Sequence, residues 1–236
     1  MKKKLLIILL ILFVFMPIPV FASAGGGHAS GGGSASGGSS NNHRTGTSNH
    51  TSHNPLTLPL FIGFTFISSH LYAFYHLKKA KEKDNINKKF IKKFETNDPA
   101  WNIKKLKKRI KKVFYQSQDS WTKQNTDGFK DILTPQLYDN WCTQIEWQIF
   151  QNDRNVLKHI HLLTISFVDI YDDTDNNQDR FCVYIQASMV DYMESEKQPH
   201  ELFRWPGLLS EYWYFQRIDN EFYLDEIKKI EEIDIE

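Results

Sequence analysis

Two acidic side chains lie in apolar, aromatic stretches where a carboxylate has few natural partners. Asp191 belongs to the run 180–193, and Glu211 opens the run 211–218, EYWYFQRI. An unpaired buried carboxylate is costly. We therefore expect one of them to form a salt bridge with Arg217 or Arg180. The alternative is that one acts as a general base in a pocket.

Histidines provide the clearest metal-ligand spacing in the chain. His159 and His161 form an H-x-H pair, and alternation along a strand puts both on the same face, a geometry that metal sites use. The sequence offers no identifiable third ligand, so we predict ordinary sheet-face histidines, no metal and no cofactor. The chain also lacks a nucleophile elbow, a phosphate-binding glycine motif and HExxH, so we predict that it is not an enzyme.

Positive charge is concentrated in one part of the chain. Residues 78–112 hold fifteen Lys and Arg against four Asp and Glu, whereas residues 113–236 hold ten against twenty-four. A basic segment beside a bilayer gains about 1 kcal/mol per residue from anionic lipid, and the acidic remainder opposes nucleic-acid binding. We therefore predict contact with anionic lipid. The candidate residues are Lys78, Lys79, Lys81, Lys83, Lys88, Lys89, Lys92, Lys93, Lys104, Lys105, Lys107 and Lys108.

The N-terminal quarter of the chain has the composition of a targeting segment followed by a tether. Residues 1–24 combine three lysines, an apolar run and an A-x-A site, which indicates a signal peptide or, if uncleaved, a first membrane helix. Residues 25–55 are rich in Gly, Ser, Asn, Thr and His. Such a composition cannot bury enough apolar surface to offset the entropy of ordering, so it predicts a disordered tether.

A membrane span is predicted next. Residues 56–77 contain no Asp, Glu, Lys or Arg over 22 positions, enough helix to cover a hydrocarbon core of about 30 Å. The lysines that follow predict a cytoplasmic C-terminal side and a single-pass protein of the cell membrane. Two cysteines, Cys142 and Cys182, lack a disulfide-framework spacing, and as reduced thiols they agree with that side; the alternative is a single disulfide between them. The alternatives are a buried helix of a soluble domain and a domain that faces outward.

The remaining chain divides into a basic neck, 78–97, and a domain, 98–236. Ile86, Phe90 and Phe94 lie on one helical face of the neck, which predicts a basic amphipathic helix. That helix either lies on the inner membrane surface or continues the span as a solvated neck. The domain pattern predicts three helices and then four strands, an α+β roll with a curved antiparallel sheet around the first helix. The predicted helices are 98–121, 129–133 and 135–151, and the predicted strands are 157–171, 180–193, 211–218 and 222–227.

Several short motifs of the domain resemble one family in sequence and order. They are Val113-Phe114 with Gln116, Gln118 and Trp121, Leu133-Thr134 with Leu137-Tyr138, Met189-x-Asp191-Tyr192, Glu211-x-Trp213-x-Phe215-x-Arg217, and Leu224-x-x-Ile227. Over roughly 98–231 they resemble the Tim44-like domain, which has the NTF2-like fold. Phe222-Tyr223 stands where that family commonly has a tryptophan.

The resemblance implies a membrane-anchored scaffold rather than a catalyst. Its mitochondrial relative is a peripheral inner-membrane scaffold linked to anionic lipid, so we expect an unidentified protein partner, anionic lipid, or both. The candidate pocket or partner-binding residues are Asp191, Tyr192, Glu211, Trp213, Phe215 and Arg217. The alternative is an NTF2-like ligand-binding domain or enzyme that uses an acidic residue in a conical pocket.

Overall fold

The computed structural model describes residues 57–195 and 207–233 of the 236-residue chain. The predicted signal segment, 1–24, and tether, 25–55, lie outside these residues and stay predictions. The described chain contains three long helices followed by an antiparallel sheet in the order β1-β2-β3-β4. The α+β class and the order of helices and strands are therefore confirmed.

The elements extend beyond most of the predicted bounds. The helices are α1 (Thr57–Phe94), α2 (Ile103–Thr122) and α3 (Pro135–Gln151), and the strands are β1 (Asp153–Tyr171), β2 (Arg180–Ser195), β3 (Gly207–Ile218) and β4 (Glu221–Lys229). The short helix predicted at 129–133 is wrong. A 3-10 turn comes earlier, at Thr126–Phe129. A Cβ on Gly128 would lie 2.1 Å from Oγ of Ser120, so a larger residue there would have to move that side chain.

Two separate caps start the helical layer. Asp98 does cap a helical turn, since its Oδ1 accepts the Ala100 N–H at 2.8 Å, but that turn is only the 3-10 segment Pro99–Trp101. The chain then restarts at Asn102, whose Oδ1 accepts the Lys105 N–H at 3.0 Å. The predicted single helix from residue 98 is therefore two helical segments, because each has its own side-chain cap.

The inner face of the sheet packs on α2 and forms the main core. Alternate residues of β2 and β3 point inward, and the fully buried Trp213 lies 5.5 Å from Phe114 of α2 between ring centroids. Further buried members of the same core are Ile110, Val113, Phe181, Val183, Ile185 and Phe215. The sheet therefore covers α2 as the sequence pattern predicts.

Helix α3 covers one end of this core with a shorter stripe than predicted. Trp141 and Ile145 are buried, and Leu137 is partly buried. Ile149 was expected on the same face but is 51% exposed. The helix ends two residues later, at Gln151, and its C-cap Asn152 has a left-handed φ of 55°. The last turn of the helix therefore lies beyond the sheet-facing core.

The outer face of the sheet is also apolar, and α1 covers it. Ala80 of α1 is buried against side chains of the outer face, and Leu77 packs beside it. The buried outer-face residues are Cys182, Tyr184, Tyr212 and Ile230. Further along α1, Ile91 enters the main core and Phe94 lies 5.4 Å from Trp101 between ring centroids.

Both edge strands carry contacts that satisfy backbone groups. On β1, the Phe167 N–H donates to Oδ1 of Asp84 at 2.9 Å, and the Phe167 carbonyl accepts from Nδ2 of Asn87 at 3.1 Å. On β4, Leu224 exchanges backbone hydrogen bonds of 2.9 Å with Ile132 and Thr134. Covering exposed edge groups in this way limits unwanted strand pairing.

These contacts place the predicted neck within the folded domain. The compact unit that contains the sheet begins at His70, and Tyr72 donates a 3.1 Å hydrogen bond from its hydroxyl to the Ile230 carbonyl. Among the residues that the structure describes, no helix is both long and apolar enough to cross a membrane. One face of the C-terminal end of the predicted span and of the neck instead packs on the domain, through His76, Ala80, Asp84, Asn87 and Ile91.

We expect Asp84→Ala to lower the free energy of unfolding by about 1–3 kcal/mol, because the Phe167 N–H loses its buried acceptor. The measurement is urea unfolding followed by tryptophan fluorescence. Glu82→Ala is the matched control on the exposed side of the same helix, with an expected change within about 0.5 kcal/mol. Equal effects of the two substitutions would contradict the edge contact.

Candidate functional site

The two acids singled out from sequence are buried but lie in separate places. Asp191 of β2 accepts a 2.6 Å hydrogen bond from Nδ2 of Asn155, and Glu211 of β3 accepts a 2.9 Å bond from the Trp213 indole N–H. Glu211 is paired across the sheet with Ile185, six positions from Asp191 on β2. That offset is about 20 Å along the strand, so the structure does not combine the acids into one site.

The other predicted pocket residues also diverge. Tyr192 lies on the opposite face from Asp191, and its hydroxyl donates to Glu194 at 3.2 Å. Phe215 stacks on Phe181 with 4.8 Å between centroids, as a core residue. The candidate set therefore contributes to packing at several points of the sheet rather than lining one pocket.

Arg217 has different partners from those predicted. Its guanidinium is 3% exposed and pairs with Asp179, at 2.9 Å, and with Asp98. Its backbone N–H also donates to the Asp179 carbonyl at 2.9 Å. The expected bridge from Arg217 to Asp191 or Glu211 is wrong. The end of β3 places the guanidinium beside the 3-10 turn Pro99–Trp101 and the start of β2 instead.

The electrostatics of this cluster follow from burial and pairing. Burial raises the pKa of the Asp179 carboxyl, and Arg217 opposes that shift. Burial acts to lower the pKa of Arg217, but the hydrogen bonds that its guanidinium donates to Asp98 and Asp179 outweigh burial and raise that pKa. The cluster joins three distant segments of the chain, which is a structural role.

The H-x-H pair does not form the predicted same-face arrangement. His159 has a left-handed φ of 52°, and the pairing of β1 with β2 shifts between Lys158 and His161. Such a bulge breaks the alternation on which the spacing argument depends. Both histidines are exposed, and no group of three metal-binding side chains occurs in the described part of the chain.

The twelve candidate lysines lie on α1 and on the first two turns of α2. Eight of them are exposed: Lys78, Lys81, Lys89, Lys92, Lys93, Lys104, Lys105 and Lys108. The other four are half-buried: Lys79, Lys83, Lys88 and Lys107. Lys88 is held by an ion pair with Asp84, the residue that covers the β1 edge.

Positive charge is continuous between the two helices. Partial burial lowers the pKa of Lys107, and the nearby charge of Lys88 lowers it further, while Asp84 acts in the opposite direction. A lysine of α2 therefore lies in the field of a lysine of α1. The two helices present one basic surface, which we call the α1–α2 basic surface.

Apolar side chains lie among the lysines on the exposed side of α1. Ile86 is 54% exposed and Phe90 is 49% exposed, one turn apart. Exposed Lys89 and Lys93 flank them. Ile91 and Phe94 turn into the domain instead, so the predicted stripe 86, 90 and 94 is divided between two sides of the helix.

A groove of about 790 Å³ lies beside this surface, between α2 and the start of β4. Lys105, Lys108 and Lys112 line it together with Phe222 and Tyr223. Arg109 is half-buried in its wall, where it donates to the Phe222 carbonyl at 2.7 Å. Asp98, Asp131 and Glu221 also line the groove, so charges of both signs surround its aromatic side chains.

A family model for the Tim44-like domain matches residues 87–228, more than half of the chain. The chain belongs to the Tim44-like domain family. The match begins inside α1, in agreement with the docking of that helix on the sheet. The Tim44-like domain is generally a non-catalytic adaptor, and membership supports a protein-interaction role for this chain.

Other comparisons add little to this assignment. No curated protein matches the chain. Among solved structures, the Tim44-like domain is similar to the intermembrane space region of the chloroplast protein ARC6, with 8% identity and a TM-score of 0.43. That alignment covers 54% of this chain and 95% of the other.

Sequence reasoning missed three polar residues that attach α1 to the Tim44-like domain. They are His76, Asp84 and Asn87. A signal for them exists, because with Ala80 and Ile91 they follow the 3-4 spacing of one helical face. The long uncharged run and the dense lysines obscured that face.

We expect Arg217→Met to lower the free energy of unfolding by about 3–5 kcal/mol, because it leaves the Asp179 carboxylate buried without its cation. Adding Asp179→Asn should recover part of the loss. Arg154→Met is the control, since Arg154 and Glu194 form an exposed pair, and it should cost less than about 1 kcal/mol. Chemical denaturation of the parent and the three variants tests this, and similar losses for both arginines would rule out the buried cluster.

Proposed function

We propose that this protein is a non-enzymatic adaptor that holds a Tim44-like domain at the cytoplasmic face of the cell membrane. The α1–α2 basic surface binds anionic lipid, and the rest of the domain is left to bind a protein partner. Membership of the Tim44-like family supports the adaptor role. The observation that carries the lipid-binding part is the exposed pair Ile86 and Phe90 among lysines on α1.

Three features of such a surface act together in binding anionic lipid. Lysines gain about 1 kcal/mol each near anionic head groups. Half-exposed apolar side chains gain further free energy by entering the boundary between head groups and acyl chains. Lysine stems also extend along apolar surface while their ammonium groups stay in water. The exposed side of α1 combines all three features.

We assign the membrane anchor of the chain to residues that precede Leu71. Tyr72 and His76 are engaged by the sheet, so a membrane anchor has to end before them. The apolar run of the predicted signal segment, 1–24, is the remaining source of an anchor if that segment is uncleaved.

We expect residues 70–236, the unit that carries the sheet, to co-sediment with phosphatidylglycerol-containing vesicles and to be released as salt rises from about 0.05 to 0.5 M. Neutralising Lys89, Lys92, Lys93 and Lys104 to Gln should lower partitioning by more than about tenfold, given about 1 kcal/mol per lysine. Vesicles of phosphatidylcholine alone provide the charge control. Binding that is unchanged in the glutamine variant would refute the role of the lysines.

The apolar contribution has its own matched pair of variants. Ile86→Ser with Phe90→Ser should weaken vesicle binding by about tenfold or more, because it removes apolar area that enters the bilayer boundary. Trp147→Ser with Phe150→Ser removes a comparable exposed apolar pair, 61% and 75% exposed, from α3. That control should bind vesicles as the parent does, and an equal loss in both variants would contradict the assignment to α1.

A further inference from the structure

The contact between α1 and the outer face of the sheet contains a buried histidine. His76 is 1% exposed, and its Nδ1 lies 2.9 Å from the hydroxyl oxygen of Tyr212 on β3. Its ring also packs on Tyr72, with 4.4 Å between centroids. Histidine is the side chain whose charge ordinarily changes between pH 5 and 8, so this contact can change charge near neutrality.

The site accommodates the neutral ring better than the cation. A neutral imidazole has one N–H group, and the Nδ1 contact with Tyr212 suits either tautomer. An imidazolium has two N–H groups. It also carries a full charge, and a ring that is 1% exposed and packed against Tyr72, Tyr75 and Tyr212 holds that charge away from water. Removing a charge from water is strongly unfavourable unless a partner compensates for it.

The charged and titratable groups around His76 do not remove this cost. On α1 they are Tyr72, Tyr75 and Lys79, whose ammonium lies 5.9 Å from the Tyr75 ring centroid. From β3 the ring faces Tyr212, and from the C-terminal turn it is influenced by Glu231. Burial lowers the pKa of His76, and the negative charge of Glu231 offsets only part of that shift.

We propose that His76 is an acid-sensitive latch that holds residues 70–80 of α1 on the outer face of the sheet. The neutral ring keeps the helix docked. When solvent supplies a proton to the imidazole, the helix detaches there and uncovers the surface formed by Cys182, Tyr184 and Tyr212. The other attachments of α1, at Asp84, Asn87 and Ile91, keep its C-terminal half in place.

The direction of the pH effect follows from proton linkage. The docked pKa lies below the ordinary histidine value of 6.5, so the undocked helix binds more protons in that range. The contribution of His76 to docking is therefore complete above about pH 6.5 and is lost as pH falls through the docked pKa. Acidification weakens the latch, and alkaline conditions do not.

An anionic bilayer would act on the same latch. Its negative surface potential attracts protons as it attracts lysines, so the surface to which the α1–α2 basic surface binds also favours release at His76. This link to the bilayer rests on the proposed function, whereas the latch itself does not. A lipid-free experiment therefore separates the two.

Cys182 reports on docking because α1 covers it. It is 3% exposed and packs in the cluster that contains Ala80, and burial raises its thiol pKa well above the ordinary value.

The experiment uses the full chain with Cys142→Ser, labelled with a dipyridyl disulfide, which still reacts with thiols in acid. Rates are compared at about pH 7.5 and about pH 5.5 and are divided by the rate of the urea-unfolded chain at the same pH.

We expect the normalised labelling of Cys182 to rise by about tenfold or more at the lower pH, and the rise to disappear in His76→Gln. Glutamine does not titrate, so Cys182 in this variant should be labelled at the same normalised rate at both pH values, whether that rate is low or high. His159→Gln, which changes an exposed histidine, should keep the full rise. Hydrogen exchange should show faster exchange at 70–80 while β2 and β3 stay protected, which distinguishes local release from global unfolding.

Three results would overturn the latch. The first is protection of Cys182 that is the same at both pH values in the parent chain. The second is an equal acid-induced rise in His76→Gln. The third is simultaneous loss of protection in β2 and β3, which would assign the rise to unfolding of the whole domain.

Discussion

The sheet of this Tim44-like domain is apolar on both faces, and that requirement organises the rest of the structure. An antiparallel sheet often leaves one face to water, but here the inner face carries Trp213 and the outer face carries Tyr212. Helices α2 and α3 cover the inner face, and α1 covers the outer one. The helix that looks from sequence like a membrane span and a solvated neck is therefore, from His70 onward, a structural layer of the domain.

Local patterns predicted most of the fold because they depend on neighbours in sequence. The 3-4 spacing of α2, the Thr134-Pro135 start of α3 and the alternation in β2 and β3 each predict an element that the structure contains. Motifs such as Glu211-x-Trp213 added the family, which the match over 87–228 confirms. The hydropathy of α1 was less informative, because a long uncharged run is equally compatible with a bilayer and with an apolar sheet.

The parts that sequence could not predict depend on contacts between distant segments. Arg217 has a choice of acidic partners, and only the placement of Asp98 and Asp179 beside it decides the pairing. The spacing of His159 and His161 predicts two histidines on one face of a regular strand. A bulge in β1 interrupts the alternation on which that prediction depends. Asp191 and Glu211 share a sheet face, and only strand register reveals the distance between them.

The two edge contacts restrict how another protein can join this domain. Asp84 and Asn87 engage the backbone of β1 at Phe167, and residues 132–134 engage β4 at Leu224. A partner cannot extend the sheet by adding a strand at these positions without displacing them. At these two positions recognition has to use side chains instead of backbone pairing. Exposed side chains can change in sequence with little effect on the core, so related domains can share this architecture while binding different proteins.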